Sequence, residues 1–354
     1  MSRRAGVVGL GLIGGSIGLS LRAQGWEVIG ADRSPAACDA AVEVGAIDRV
    51  GDAADAEITF VATPVGAIID TVNDVLARGG GLVTDVGSVK GPIAAAIDDP
   101  RFIAGHPMAG SEHSGVRGSR PDLFHGAVWV LAPGERTDDV NYATVRSVVA
   151  SLGADVVAID PAAHDQLVAV VSHVPHLTAV TLMALADARS IEHRALLRLA
   201  AGGFRDMTRI AAGDPGIWPD ICSQNSAAIT GVLDELIGSL SSIRSLIEHD
   251  DQPALLETLE TARVARVNLP TGVPADVALA ELRVPVTDRP GELASITRLA
   301  TDIDVNIYDI EIAHSAEGQG GVVILIVPEA TGERLVGALM ANHYRPSIRP
   351  LESS

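Results

Sequence analysis

VVGLGLIGGSIG, residues Val7 to Gly18, sets three glycines at the spacing Gly9-x-Gly11-x-x-Gly14, behind an apolar strand-like run and ahead of a helical one. The first glycine permits a tight turn, the second lets the backbone approach a pyrophosphate, and the third lets helix lie close on sheet. Leu12 and Ile13 complete the turn, whose N–H groups and helix dipole suit phosphate oxygens. Asp32 ends the next strand-like run about 20 residues on. Its carboxylate would accept hydrogen bonds from the adenosine ribose hydroxyls and repel a 2′-phosphate, which favours NAD over NADP, with the neighbouring Arg33 softening that preference. A glycine turn that holds no ligand is the plain alternative. The same N-terminal segment, two arginines before a charge-free run, superficially resembles a secretory signal. Its glycine content and its direct passage into WEVIGAD favour a folded strand.

Outward from this turn, apolar runs at 5–9, 27–31, 58–62, 82–86, 102–105 and 127–131 alternate with helical or turn-rich segments. Such alternation predicts βαβ units and a mostly parallel sheet, an α/β fold with an N-terminal Rossmann dinucleotide-binding domain over 1–160. ATPV ends the 58–62 run, so Thr63 and Pro64 either approach the nicotinamide side or simply terminate a strand. Asp160-Pro161 reads as a helix cap with proline at the first helical position. From there the chain reads as helix to about Arg266. Segments such as LVAVVSHVPHLTAVTLMALA are apolar too broadly for one surface helix. We expect an all-helical dimerisation domain over 161–268 and hence a homodimer. VNLPTGVPADVALA carries two prolines and little periodicity, giving a linker at 269–280, and residues 281–354 read as a βαββαβ module.

Composition limits the partners. Twenty-six basic against 45 acidic residues leave a net charge of −19, which disfavours nucleic acid. Any anion site must therefore be built from locally placed arginines. Cys38 and Cys222 form no C-x-x-C motif, which suits a reducing cytoplasm. Beyond the N-terminal run no segment is expected to supply the ~20 apolar residues of a membrane span, so a soluble cytoplasmic protein is expected. Only one lysine occurs, Lys90, in TDVGSVKGP beside Ser88.

The segments GLGLIGGS, DVGSVKG, GHPMAGSEHSG, VSHVPH and GGFRDMTRIA followed by DPGIW resemble, in order, the prephenate/arogenate dehydrogenase family over residues 5 to about 265. The C-terminal module resembles an ACT domain, with TDRPGELASI as its ligand-binding turn. The resemblance implies NAD-dependent oxidative decarboxylation of prephenate. His106 would accept the proton of the ring hydroxyl, a task suited to an imidazole near neutrality, with activity rising as it becomes neutral. Ser88 would hydrogen-bond the same hydroxyl and orient His106. Arg209 would grip a substrate carboxylate in a bidentate fork, Asp206 three residues earlier would orient it, and Arg205 would be a second cation.

The resemblance makes His173 a substrate-side donor and His176 a supporting or core residue, and no third ligand of suitable spacing makes them a metal pair. Ser111 and Glu112 would shape the substrate end, and Trp218 would pack near the site mouth. VSHVPH lacks the carboxylate that arogenate-specific members carry, which favours prephenate. Lys90 has two readings: a compact cation beside cofactor or substrate charge, or a residue retained at a solvated helix start. Asp288, Gly291 and Asn306 would bind tyrosine as a feedback inhibitor, unless the ACT-like module serves only for dimerisation. Rival functions are arogenate dehydrogenase, a β-hydroxyacid dehydrogenase using a helical lysine, and a non-enzymatic NAD-linked amino-acid sensor.

Overall fold

The structure, a computed structural model, describes residues 3–79, 81–111, 113–134, 136–191, 193, 196–268, 278–287, 289–314 and 321–351. Of the expected site residues, Glu112 and Asp288 lie outside this set, as does most of the expected linker. The chain forms two compact units, Met1–Leu185 with Thr208–Ile237, and Ala186–Met207 with Gly238–Ser354.

The first unit opens with β1 (Arg4–Val8), α1 (Leu12–Ala23), β2 (Glu27–Ala31), α2 (Pro35–Glu43), β3 (Arg49–Val50), β4 (Ile58–Val61) and α3 (Val65–Arg78). It continues through β5 (Leu82–Asp85), α4 (Gly91–Ala96), β6 (Phe102–Pro107), β7 (Val128–Ala132), α5 (Asp139–Ser151) and β8 (Asp155–Ala158). The strand order is β3-β2-β1-β4-β5-β6-β7-β8. Neighbours pair in parallel except β6 with β7, so the last two strands run against the rest. Six of the eight strands match the apolar runs in the sequence; β3, two residues long, and β8, with no fully buried residue, lack that signal. Order reverses between β1 and β4, and in open α/β sheets the ligand crevice lies outside the carboxyl ends at such a point. Gly9, Thr63, Ser88 and His106 all stand at or just beyond the carboxyl ends of β1, β4, β5 and β6.

The helical region follows as α6 (Pro161–Val168), α7 (Val174–Ser190), α8 (Gly202–Thr208), α9 (Trp218–Gln224), α10 (Ser226–Glu248) and α11 (Gln252–Val267). Asp160 caps α6 as expected, accepting the N–H groups of Ala162 and Ala163, with Pro161 at the first position. The boundary expected at residue 160 does not separate the compact units. α6 packs on α4 and α9 on α3, and Ala169, Val174, Ala228 and Ile229 share one apolar cluster, so this part of the helical region belongs with the sheet. One expectation is corrected. Pro161–Ser190 is one helical run long and apolar enough to cross a membrane by length and composition. Its buried polar residues, among them His164, Asp165, His173 and His176, belong to the site described below.

In the second unit, β9 (Leu279–Val286), α12 (Glu292–Asp302), β10 (Asp309–His314), β11 (Gly321–Pro328), α13 (Glu329–Ala341) and β12 (Ser347–Pro350) give the βαββαβ order. The sheet runs β10-β11-β9-β12 and its pairings are antiparallel. β9 begins at Leu279, inside the segment expected as linker. Leu282, Val284, Ile296, Leu325 and Leu335 centre its core.

Candidate functional site

The glycine turn fits a dinucleotide. Gly9 has φ +98°, and a Cβ there would lie 2.4 Å from the Ala62 carbonyl oxygen, so only glycine closes this turn. A Cβ on Gly11 would meet nothing within 4 Å, leaving open space where a pyrophosphate must come close, whereas one on Gly14 would lie 1.9 Å from the Gly9 carbonyl oxygen. Gly11 is the N-cap of α1, whose first turn has no side-chain cap and no acidic residue. An uncapped helix start with free N–H groups is a ready anion site. Asp32 is half-buried; its Oδ2 accepts the Leu10 N–H at 2.7 Å and its Oδ1 accepts the Ser34 N–H at 2.8 Å. It thus braces the turn itself, and each oxygen keeps a second lone pair for a ribose hydroxyl. Thr63 Oγ1 is buried without a partner among the described residues, while Pro64 is exposed at the N-cap of α3. Arg33 is exposed.

The second part of the site is built on buried charge. Asp85, at the end of β5, is fully buried. Its Oδ1 accepts the Gly105 N–H at 3.1 Å, and its Oδ2 accepts the Gly87 N–H at 2.9 Å and an N–H of the Lys90 ammonium. Lys90 is likewise fully buried, and its ammonium also donates to the Gly105 carbonyl at 2.8 Å. Neither expectation for Lys90 holds. The side chain is neither solvated nor free to meet a ligand, because a desolvated ammonium is stable only against a carboxylate and further acceptors. Burial pulls its pKa below the usual lysine range, against the opposing pull of Asp85 and then Asp165. The ion pair clamps β5 to β6 one residue before His106, and it brackets Ser88, which stays half-buried in the loop between Asp85 and Lys90. A lysine so enclosed cannot act as the acid/base group of a β-hydroxyacid dehydrogenase.

His106 keeps 9% of its surface exposed. Its Nδ1 lies 2.8 Å from His164 Nε2, and His164 Nδ1 lies 2.8 Å from Asp165 Oδ1. Asp165 also accepts the Lys90 N–H on Oδ1 and the Gly91 N–H on Oδ2, both at 2.7 Å, and so supplies the N-terminal cap that α4 lacks locally. Burial, then the Lys90 charge, then His164 and His173 push the His106 pKa well below the ordinary imidazole range. The ring is therefore uncharged at neutral pH, and the ionisation expected to limit activity moves to acid.

His173 is buried at the end of a five-residue π turn, Ala169–His173. Pro175 follows two residues later and cannot donate to the Val171 carbonyl, a local cause for the widened turn. Asn225 Nδ2 donates to the Asp165 carbonyl at 2.8 Å and stands 3.2 Å from His173 Nδ1, while His173 Nε2 is buried with no partner among the described residues. An amide NH2 facing Nδ1 makes Nδ1 the acceptor, so Nε2 carries a proton with nothing to receive it, a donor awaiting a ligand. Burial, then His164, pulls the His173 pKa down to about 4 against the pull of Asp165, so this ring too is neutral. His176 stacks on Trp218 with ring centroids 3.6 Å apart, and Trp218 meets His173 edge-on at 6.2 Å.

Arg209 begins the single turn Arg209–Ala212, is exposed, and takes no ion-pair partner among the described residues. Ser111 is exposed and its Oγ accepts the His113 N–H at 3.2 Å, so it braces its own loop. Arg205 and Asp206 lie exposed on α8, in the second unit. Asp85, His164, Asp165 and Asn225 were not singled out from sequence; their only local signals are an aspartate ahead of Ser88 and a His-Asp pair just inside a capped helix.

The family described as prephenate dehydrogenase, nucleotide-binding domain, matches residues 17–158, and the prephenate dehydrogenase dimerization domain matches 160–261. Prephenate dehydrogenase of Bacillus subtilis is 34% identical over 334 residues, covering 90% of this chain and 90% of that protein. The crystal structure of Aquifex aeolicus prephenate dehydrogenase in complex with hydroxyphenyl propionate and NAD+ superposes with a TM-score of 0.72 at 30% identity, covering 76% of this chain and 99% of that one. Arogenate dehydrogenase of Synechocystis superposes with a TM-score of 0.65 at 33% identity, covering 74% and 98%.

Proposed function

Because the chain belongs to the prephenate dehydrogenase family, we propose that His106 is the proton acceptor in an NAD-dependent oxidative decarboxylation of prephenate to 4-hydroxyphenylpyruvate. The enzyme is an NAD-dependent oxidoreductase. The observation that carries the role of His106 is a buried, uncharged imidazole at the carboxyl end of β6, next to the Ser88 loop. NAD supplies the acceptor for hydride. The Gly9–Gly14 turn and the start of α1 would hold its pyrophosphate, Asp32 its adenosine ribose, and Thr63 and Pro64 its nicotinamide side.

His106 takes the proton of the ring hydroxyl as the C4 hydrogen departs as hydride, and Ser88 orients that hydroxyl. The C1–carboxylate bond then breaks, CO2 leaves, and the bonding pair enters the ring, giving a phenoxide that takes back the proton held by His106 to complete the phenol. His173 Nε2–H donates to a substrate oxygen, and the exposed Arg209 guanidinium binds a carboxylate in a bidentate fork.

Following NADH absorbance on addition of prephenate, arogenate or a β-hydroxyacid tests the reading. Prephenate should turn over fastest. Preference for arogenate would move the enzyme to the second reading, which the 33% identity to the Synechocystis arogenate dehydrogenase favours, and turnover of the β-hydroxyacid alone would overturn both. Arg209→Ala should raise KM for prephenate by about 30- to 1,000-fold, or about 2–4 kcal/mol, with kcat changed less, since a carboxylate loses its partner.

The dimerization-domain match points to a homodimer, and the exposed Val170, Val171 and Leu185 supply apolar surface for it. We place the enzyme in the cytoplasm. We read the βαββαβ module as an ACT-like regulatory domain that binds tyrosine. Gly291 supports this, holding the left-handed backbone (φ +94°) at the N-cap of α12, and Asn306 lies exposed just past that helix. Tyrosine should inhibit NADH formation by the intact chain, and Asn306→Ala should weaken that inhibition at least several-fold without changing uninhibited turnover. Equal inhibition of both proteins would remove the regulatory site from this module.

A further inference from the structure

The hydrogen bonds around His106 form a chain whose direction can be worked out. Both Asp165 oxygens already accept backbone N–H groups, from Lys90 and from Gly91. The His164 nitrogen at 2.8 Å from Oδ1 must therefore be the donor, so His164 carries its proton on Nδ1. A neutral imidazole has one N–H, which leaves His164 Nε2 as an acceptor. The nitrogen facing it, His106 Nδ1 at 2.8 Å, must then be protonated. His106 is left with a bare Nε2, which takes no partner among the described residues.

We propose that His164 and Asp165 are positioning residues that lock His106 in the tautomer whose Nε2 lone pair can accept the substrate proton. The inference rests on His106 being the proton acceptor and deepens that reading. Without the chain, His106 would divide between two tautomers, and the one protonated at Nε2 cannot act as a base. Proton balance also favours the arrangement. When Nε2 takes the hydroxyl proton, the proton on Nδ1 can pass to His164 Nε2. The positive charge then rests on the ring that faces the Asp165 carboxylate, and His106, which faces the Lys90 ammonium, becomes neutral again. Asp165 also caps α4 directly after Ser88, so one carboxylate sets both the tautomer of the base and the start of the helix beyond the serine loop. This is the orienting logic by which a carboxylate fixes a catalytic imidazole in other enzymes, reached here through a second imidazole.

The test uses the full-length protein with NAD. In 15N-labelled wild type, ring-nitrogen correlation spectra should show His106 protonated at Nδ1 and bare at Nε2. His164→Leu should lower kcat about 10- to 100-fold, with KM and NAD affinity within about threefold. His164→Gln, whose amide oxygen can accept the same N–H, should recover most of the loss. A wild-type His106 protonated at Nε2 overturns the proposal, as does a folded His164→Leu protein with wild-type kcat or a Gln variant no better than Leu. Should the Leu variant fail to fold, the wild-type spectrum still decides. If wild type turned over none of the three substrates, the functional reading would fail while the tautomer measurement stood on its own.

Discussion

Replacing His106 with asparagine should lower kcat by about 100- to 10,000-fold, the usual worth of a positioned base, while NAD affinity stays close to wild type. Asparagine can hydrogen-bond the substrate hydroxyl but has no lone pair basic enough to take its proton. The cofactor turn lies on β1 and α1 and makes no bond to β6, so NAD binding should not register the change. The pH profile carries the sign of the effect. Catalysis needs neutral His106, and burial together with Lys90 holds its pKa well below the ordinary range. Activity should therefore be level through neutral pH and fall only on the acid side. Stability should change in the same direction. Between about pH 6.5 and 4, an unfolded chain would take up a proton at His173 that the folded chain refuses, so stability rises with pH across that window and levels above it. An activity limb centred at or above pH 6.5, or an Asn variant within tenfold of wild type, would remove His106 from the role of base.

What the sequence displayed and what it concealed divide along sequence distance. The glycine turn is local: the positive φ at Gly9, the tight packing at Gly14 and the free start of α1 all lie within about ten residues, so spacing alone made them legible. The βαβ alternation was legible for the same reason, because buried parallel strands read as short apolar runs. β3 is too short to leave such a run, and the reversed direction of β7 depends on its partner across the sheet rather than on its own residues. The supports of the site are long-range. His106 meets His164 58 positions away, Asp165 caps Lys90 from 75 positions away, and Asn225 reaches back 52 positions to His173. None of these pairs has a periodic signature. His164 and Asp165 looked like ordinary polar residues inside a helix start, and only the packing of α6 on α4 gives them partners. Lys90 was misread on the same grounds. Its neighbours Ser88 and Gly91 suggest an exposed loop, whereas its true partners are a buried carboxylate at the end of one strand and a carbonyl on the next.

Lys90→Met should therefore destabilise the protein by about 3–5 kcal/mol, the cost of leaving one partner of a buried ion pair uncompensated. Asp85 would keep its bonds from Gly87 and Gly105 but face the core without a cation. Asp85→Asn combined with Lys90→Met should recover a large part of the loss, because the pair disappears together and a neutral amide can still accept one of those N–H groups. Lys90→Arg keeps the charge and should nonetheless cost about 1–3 kcal/mol. The site is fully enclosed and supplies one carboxylate oxygen and one carbonyl to a compact ammonium, a geometry that a planar five-donor guanidinium cannot occupy without displacing its neighbours. That steric demand accounts for a single lysine in a chain whose other 25 basic residues are arginine. Denaturant unfolding of the three variants measures these costs, and a second readout separates fold from function. The Lys90 charge lowers the His106 pKa, so its removal should let that pKa rise and carry the acid limb of activity toward neutral pH in any folded Lys90→Met protein. A variant as stable as wild type, with its acid limb unmoved, would mean that the ammonium neither holds β5 to β6 nor sets the charge state of the base.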